Sequence, residues 1–301
     1  MKKLIADYHL TESETDNLIN TFSKRSDYDE VIDYDCEAYT KTGQPLFVFK
    51  KNYIEPKILE NAYHSLKNAA QPTNNRGASS GGERRNRVLK DGTISKTTQV
   101  YIPGTDEQVQ DLSGIIGYFD RGAHYDFCRR TAYNVQNPKN FKQGMELMKV
   151  VDEGFKKYVP YRHKKQKEMI MATDPNYRIG NTAFTTVTVN KDYRTAYHTD
   201  RGDYAKGFGN LVAYIKDMEP VLFVLPRYKI AINLNTNDLL LVDVHQVHGN
   251  TEIIKKSDEA VRLSFVMYYR ENMWKCLNPE QELKRIQKNQ RVVAQKFIGK
   301  F

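Results

Sequence analysis

The sequence predicts an α+β fold in which a jelly-roll core is packed by helices. Two observations carry that expectation. From Ala183 onward the apolar pattern is that of short strands between turns, at 184–189, 211–215, 221–225, 228–234, 238–244 and 261–269. Several strands at such spacing make a sandwich or barrel, and their number suits a double-sheet jelly roll. Upstream, at 56–69 and 139–158, apolar residues recur at three- and four-residue steps, the period of a helix with one buried face. Helices first and strands after them point to a β core resting on helices. A chain of 301 residues can form a single domain, 1–301, around one such core.

Residues 1–44 are polar, with acids at Asp27, Asp29, Glu30, Asp33, Asp35 and Glu37, and read as an N-terminal extension to a core spanning 45–272. The core opens on the apolar run 46–50, a strand. Ile58, Leu59, Ala62 and Leu66 define the buried face of the first helix. Residues 71–87 are punctuated throughout by Gly, Ser, Asn and Pro and read as a loop. Between 70 and 100 six basic residues (Arg76, Arg84, Arg85, Arg87, Lys90 and Lys96) stand against two acids (Glu83 and Asp91), a net of +4. Glycines let backbone approach a ligand and arginines suit phosphates, so Arg76, Arg84, Arg85 and Arg87 are candidate nucleic-acid contacts. The competing reading is a mobile surface loop that binds nothing. Met145, Met148, Val151, Phe155 and Tyr158 line one face of the second helix, which Pro160 ends. A third helix over 161–172 carries Lys164, Lys165 and Lys167 on a solvated face. A basic amphipathic helix over 279–297 fills the C-terminal segment 273–301.

Lys and Arg number 46 against 37 Asp and Glu, a net charge of +9. Such an excess favours a polyanionic partner, with nucleic acid the first candidate; no protein partner is evident. No apolar run approaches the roughly 18 residues of a membrane span. The first residues reach Asp7 before a secretory apolar stretch develops, so an intracellular, unexported protein with no membrane association is expected. Cys36, Cys128 and Cys276 form no Cys-x-x-Cys pair and supply no zinc set; free thiols in a reducing compartment are expected.

The chemistry concentrates in two places. His198 and Asp200 are two residues apart, so on extended backbone both side chains leave the same face. A third imidazole from a later strand completes two nitrogens and one carboxylate oxygen, the facial triad of non-haem Fe(II) oxygenases, which leaves metal positions open. The apolar run 239–244 leads into His245 and His248, and either can supply that imidazole; the other is then a packed or bracing histidine. Arg262 and Ser264 follow on the next strand, again two apart and on one face. A guanidinium beside a hydroxyl makes a fork for a carboxylate. That suits 2-oxoglutarate, whose one end chelates the metal while its far carboxylate needs an anchor. Triad and fork together point to an Fe(II)- and 2-oxoglutarate-dependent oxygenase, with O2 as co-substrate.

Four stretches stand out around the triad: 182–190; 193–203, with Tyr197, His198, Thr199 and Asp200; 207–211, with Gly207, Phe208 and Gly209; and 243–251, with His245 and His248. Together with Asn75, Arg76 and Gly77 and with 113–121, they resemble the oxygenase domain of the TET/J-binding-protein family, most closely its short phage and bacterial members. The resemblance covers about 45–272. It implies a double-stranded β-helix, iron ligands at His198, Asp200 and His248, and 2-oxoglutarate held by Arg262 with Ser264 assisting. It also implies hydroxylation of the 5-methyl group of thymine or 5-methylcytosine in DNA. A methyl inside a duplex cannot reach a buried iron, so the pyrimidine is expected flipped out or single-stranded. Tyr118 and Phe119 are candidates to stack on it, or else core residues. Residues 216–220 and Arg201 depart from the family pattern, the first where a glycine-rich hairpin is common and the second where a small residue is. The alternative functions are the same oxygenase acting on a free nucleobase, nucleotide or other small molecule, and a non-catalytic DNA-binding module.

Overall fold

Strand alternation builds this molecule in layers. In the computed structural model, residues 1–298 are described except Lys90, 123–124 and 287–290. The large sheet has ten strands. Along it lie β1 (Lys2–Ala6), β3 (Cys36–Thr40), β4 (Pro45–Lys50), β14 (Leu239–Val242), β11 (Gly209–Lys216), β16 (Val261–Tyr268), β10 (Thr186–Lys191), β8 (Asp111–Phe119) and β5 (Gln71–Thr73), with β9 (Arg129–Arg130) paired to β8. A second sheet orders β15 (Gly249–Asn250), β12 (Leu222–Leu225), β13 (Ile230–Asn233) and β2 (Glu30–Ile32). The central pairings, from β14 through β11, β16 and β10 to β8, are antiparallel. β1 with β3 and β13 with β2 run parallel.

Successive side chains leave opposite faces of a strand. β16 therefore sends Leu263, Phe265 and Met267 to one side, into a core shared with Val187 and Val189 of β10 and Leu239 and Leu241 of β14. The helices Pro56–Leu66 and Pro138–Tyr158 close that core through Leu59, Ala62, Leu66, Leu147, Met148, Val151 and Phe155. On the opposite face, Leu240 and Val242 of β14 meet Phe223, Ile230 and Ile232 of the second sheet. Both faces of β14 are covered, which accounts for its unbroken run of Leu239, Leu240, Leu241 and Val242. The result is helices, large sheet and small sheet in that order, a jelly roll packed by helices. Toward β10 and β8 the inner face turns polar. There Thr188, Asn190, Arg262 and Ser264 line a cavity of about 520 Å³.

Five elements differ from the sequence expectation. Residues 1–44 are no appendage, because β1 and β3 extend the large sheet and β2 the small one, burying Ala6, Ile32, Cys36 and Ala38 between the sheets. Dense acidic residues hid that alternation. The stretch read as a loop, 71–87, contains β5, a 3-10 turn at Gly77–Ser80 and the start of β6 (Asn86–Val88), which forms a hairpin with β7 (Ile94–Lys96) beyond it; Lys90 lies outside the described residues. Pro160 does not only follow a helix; it opens the next one, Pro160–Ala172, where its missing N–H costs nothing. The C-terminal helix is divided into Pro279–Arg285 and Arg291–Ile298, with 287–290 outside the described residues. The expectation of free thiols is corrected for two cysteines. Cys128 and Cys276 form a disulfide across 148 residues of sequence, and only Cys36 is a free thiol, buried. No local spacing signals a pair that the fold alone brings together.

Candidate active site

His198 and His248 meet because their backbones pair. The N–H of each donates to the carbonyl of the other, at 2.9 and 3.0 Å, an isolated antiparallel bridge between the segment after β10 and the start of β15. Several neighbours hold the first segment in place. Tyr197 N–H donates to Thr21 O at 2.8 Å and Asn20 N–H donates to Tyr197 O at 2.7 Å, so the N-terminal residues brace the position next to His198. Thr195 N–H donates to the Asn250 side chain at 2.8 Å. The residue after His248 sits in a tight place that favours glycine, since a Cβ at Gly249 would stand 3.0 Å from Thr195 O.

The two rings are oriented alike. His198 Nδ1 donates to Ala196 O at 2.8 Å, and His248 Nδ1 donates to Gln246 O at 2.9 Å. Each Nε2 is thereby left with its lone pair, the form that binds a metal. Asp200 Oδ1 lies 3.5 Å from His198 Nε2 and its Oδ2 lies 3.8 Å from His248 Nε2. One donor atom from each of the three residues fits within 4.8 Å of the others. Burial, with His198 beside it, pushes the His248 imidazole down to about 4, so it stays neutral and able to ligate. Phe223 stacks on His248 with ring centroids 5.1 Å apart. His245 points elsewhere. Its Nδ1 pairs with Asp243 at 3.1 Å, which raises its pKa, and its Nε2 lies 3.4 Å from Asp203 O. This donor set fits a divalent transition metal with open positions.

Arg262 and Ser264 share the inner face of β16 and line the same cavity. Arg262 is 8% exposed, and among the described residues its Nε has no hydrogen-bond partner. Burial pushes its guanidinium down to about 10. A buried cation with an unsatisfied donor, beside a hydroxyl, is a socket for a carboxylate. Arg270 and Arg194 are engaged otherwise. Arg270 Nε donates to Asp120 at 2.8 Å over the Phe119 ring. Arg194 lies on the Phe22 ring and donates to Ser23 O at 3.2 Å.

The family model for Tet_JBP, the oxygenase domain of the 2OGFeDO superfamily, matches residues 114–271, just over half the chain. The chain belongs to this family. It is 31% identical over 189 residues to the bifunctional helicase and thymine dioxygenase JBP2 of Leishmania braziliensis, covering 62% of this chain and 17% of that protein. It is 33% identical over 184 residues to the thymine dioxygenase JBP1 of Trypanosoma brucei brucei, covering 60% of this chain and 22% of that one. The match thus spans about a fifth of the length of these curated relatives. Among solved structures, NgTET1 in complex with 5mC DNA superposes with a TM-score of 0.52 at 11% identity, covering 84% of this chain and 83% of that one. At that identity the likeness is one of fold. The span matched by the Tet_JBP model includes His198, Asp200, His248, Arg262 and Ser264 and ends before it reaches the arginine-rich stretch upstream.

That stretch divides in space. Arg76 is turned into the cavity, where its Nε is buried without a partner among the described residues. Burial lowers its pKa, and Asp111 and Asp200 pull the other way. Arg84 lines the cavity mouth and its Nε donates to Thr97 O at 2.7 Å. Arg85 pairs with Asp106 and stacks on the Tyr101 ring at 3.8 Å. Arg87 is exposed on β6. Of the two stacking candidates, Tyr118 packs edge-on against Tyr177, and Phe119 lies beneath Arg270 and Arg129. Sequence reasoning overlooked Asp203, which lines the cavity near Arg270. Desolvation, then the charge of Asp200, raises its carboxyl well above the usual range, and Arg270 opposes this. Its one sequence signal was a place three residues beyond Asp200. No helix among the described residues is long and apolar enough to cross a membrane.

Proposed function

We propose that this chain is an Fe(II)- and 2-oxoglutarate-dependent dioxygenase, one domain over 1–301, that hydroxylates the 5-methyl group of a pyrimidine, thymine or 5-methylcytosine, in DNA. One observation carries the reading. Two imidazole Nε2 atoms and the Asp200 carboxylate converge within 4.8 Å in the same cavity as the buried, unpaired Nε of Arg262. Membership of the oxygenase family supports it. So do the thymine dioxygenase relatives and the net charge of +9.

His198, Asp200 and His248 would hold the metal, and Arg262 with Ser264 would hold the far carboxylate of 2-oxoglutarate. Iron and 2-oxoglutarate, when bound, supply the activation of O2 that hydroxylates the methyl C–H while 2-oxoglutarate leaves as succinate and CO2. The protein supplies position and exclusion of water. The Nδ1 donations of both histidines fix ring orientation, and Phe223, Leu211, Val266 and Ile115 form the apolar part of the wall. Arg84 and Arg87 suit phosphates at the rim. Arg76 faces the interior and suits an anion or carbonyl within the cavity. The base enters the cavity flipped or from a single strand.

Nucleosides from DNA incubated with the protein, Fe(II), 2-oxoglutarate and O2 should contain the 5-hydroxymethyl product by mass spectrometry, with stoichiometric succinate. Product from mononucleotides but not from DNA would assign the site to a small substrate.

A further inference from the structure

The hairpin of β6 and β7 carries its apolar pair on the outside. Val88 and Ile94 are directly opposed across it and are 72% and 68% exposed, with Leu89 beside them at 37%. A cross-strand aliphatic pair is a stabilising unit when something covers it; here it faces outward. The next pair on that face, Asn86 with Lys96, is exposed as well, and Arg87 is exposed on the other face. The last strand pair before the turn is therefore apolar, with Lys96 on the same face and Arg87 on the other, while the turn beyond it carries Asp91.

The root of this hairpin is the mouth of the cavity. Arg84 and Thr98, at the two ends of the ribbon, line the cavity. Thr97 N–H donates to Arg85 O at 2.8 Å, Arg84 Nε donates to Thr97 O at 2.7 Å, and Gly77 N–H donates to Thr98 O at 2.8 Å. The Arg85 pair with Asp106 and its stack on Tyr101 stiffen the base of the ribbon. Val88 is four residues from Arg84, so the apolar pair stands at most roughly 13 Å from Arg84 along extended backbone.

We propose that the Val88–Ile94 pair is a wedge that enters the base stack of duplex DNA where a pyrimidine leaves to reach the cavity, with Arg87 and Lys96 on the adjoining phosphates. This rests on the reading of the cavity as a DNA-pyrimidine site. A flipped base leaves a gap bounded above and below by apolar ring faces. Aliphatic side chains inserted between base steps hold such a gap open, and that gain offsets the cost of unstacking. Cations beside the wedge neutralise the phosphates that flank the gap. A ribbon rooted at the rim delivers both groups next to the opening through which the base must pass.

The test compares wild type with Val88→Ala/Ile94→Ala, a change at exposed positions, on one target sequence as duplex and as single strand, each with 2-aminopurine beside the target pyrimidine. Wild type should raise 2-aminopurine fluorescence on the duplex. The double variant should lose most of that rise, and its ratio of duplex to single-strand affinity should fall by about ten-fold or more. Val88→Leu/Ile94→Leu, still apolar, should retain both. Equal loss on the two substrates, an undiminished duplex signal in the double variant, or no unstacking by wild type would overturn the wedge. Fluorescence and affinity need no turnover. Failure of the catalytic reading would therefore appear separately, as absent product beside an intact unstacking signal.

Discussion

The floor of the cavity and its rim are built by opposite means. The floor sets His198, Asp200, His248, Arg262 and Ser264 on or beside paired strands, inside the span matched by the oxygenase family. The rim sets Arg87, Val88 and Ile94 on a two-stranded ribbon, with Arg84 at its root, upstream of that span. Ligands to one metal must keep fixed separations, which a hydrogen-bonded ladder enforces. Groups that touch a long polyanion tolerate ångström-scale variation, and an exposed hairpin suffices. On the proposed reading, reaction type resides in the sheet and substrate form in the rim.

The largest expected effect tests the floor. Asp200→Ala or His248→Ala should abolish Fe(II)-dependent succinate formation in a protein that stays folded. His245→Ala should lower it by about 10- to 100-fold at most, as for residues that brace a site without binding the metal. The reverse outcome at the two histidines would exchange their roles. Next is the carboxylate socket. Removing a hydrogen-bonded charge partner costs about 2–5 kcal/mol, so Arg262→Ala should weaken 2-oxoglutarate by at least ~30-fold in a titration of succinate formation. Unchanged dependence would move the anchor to Arg76. Ser264→Ala removes one hydrogen bond worth about 0.5–1.5 kcal/mol and should weaken 2-oxoglutarate by roughly 2- to 10-fold. The smallest effect belongs to the rim. Replacing Arg87 by Gln should flatten the log–log salt dependence of duplex binding by about 0.9. The same change at Arg85, already paired with Asp106, should flatten it less. Equal effects at the two positions would erase the distinction between a free and an engaged cation.

Much of the floor was legible because its signals are local. The two-residue spacings of His198 with Asp200 and of Arg262 with Ser264 place side chains on one strand face whatever the rest of the chain does. The strand over 239–242 announced itself by continuous Leu and Val. The choice of His248 over His245 came mainly from the family resemblance; in the structure His245 is turned toward Asp243. The rim was less legible. One apolar residue on each strand of a ribbon rich in Arg and Lys looks like loop composition. Arg76 and Arg87 read alike in sequence, yet one faces the cavity and the other faces solvent. The disulfide of Cys128 and Cys276 and the ion pair of Asp120 with Arg270 join residues 148 and 150 apart, beyond the reach of any periodicity. The strands of residues 1–44 were masked by acids that lie on their outer faces and in the turns between them.

The reciprocal backbone bonds between His198 and His248 have a thermodynamic consequence. Each residue shields the other's amide hydrogen, and one opening event both exposes the two amides and separates the two ring nitrogens. Hydrogen exchange at those amides and metal occupancy are therefore linked equilibria. A divalent metal at 100 times its dissociation constant should stabilise the closed pair by about 2.7 kcal/mol and slow exchange at both amides by the same factor of roughly 100. Amides in the β6–β7 hairpin, which shares no bond with that pair, should exchange at their former rate.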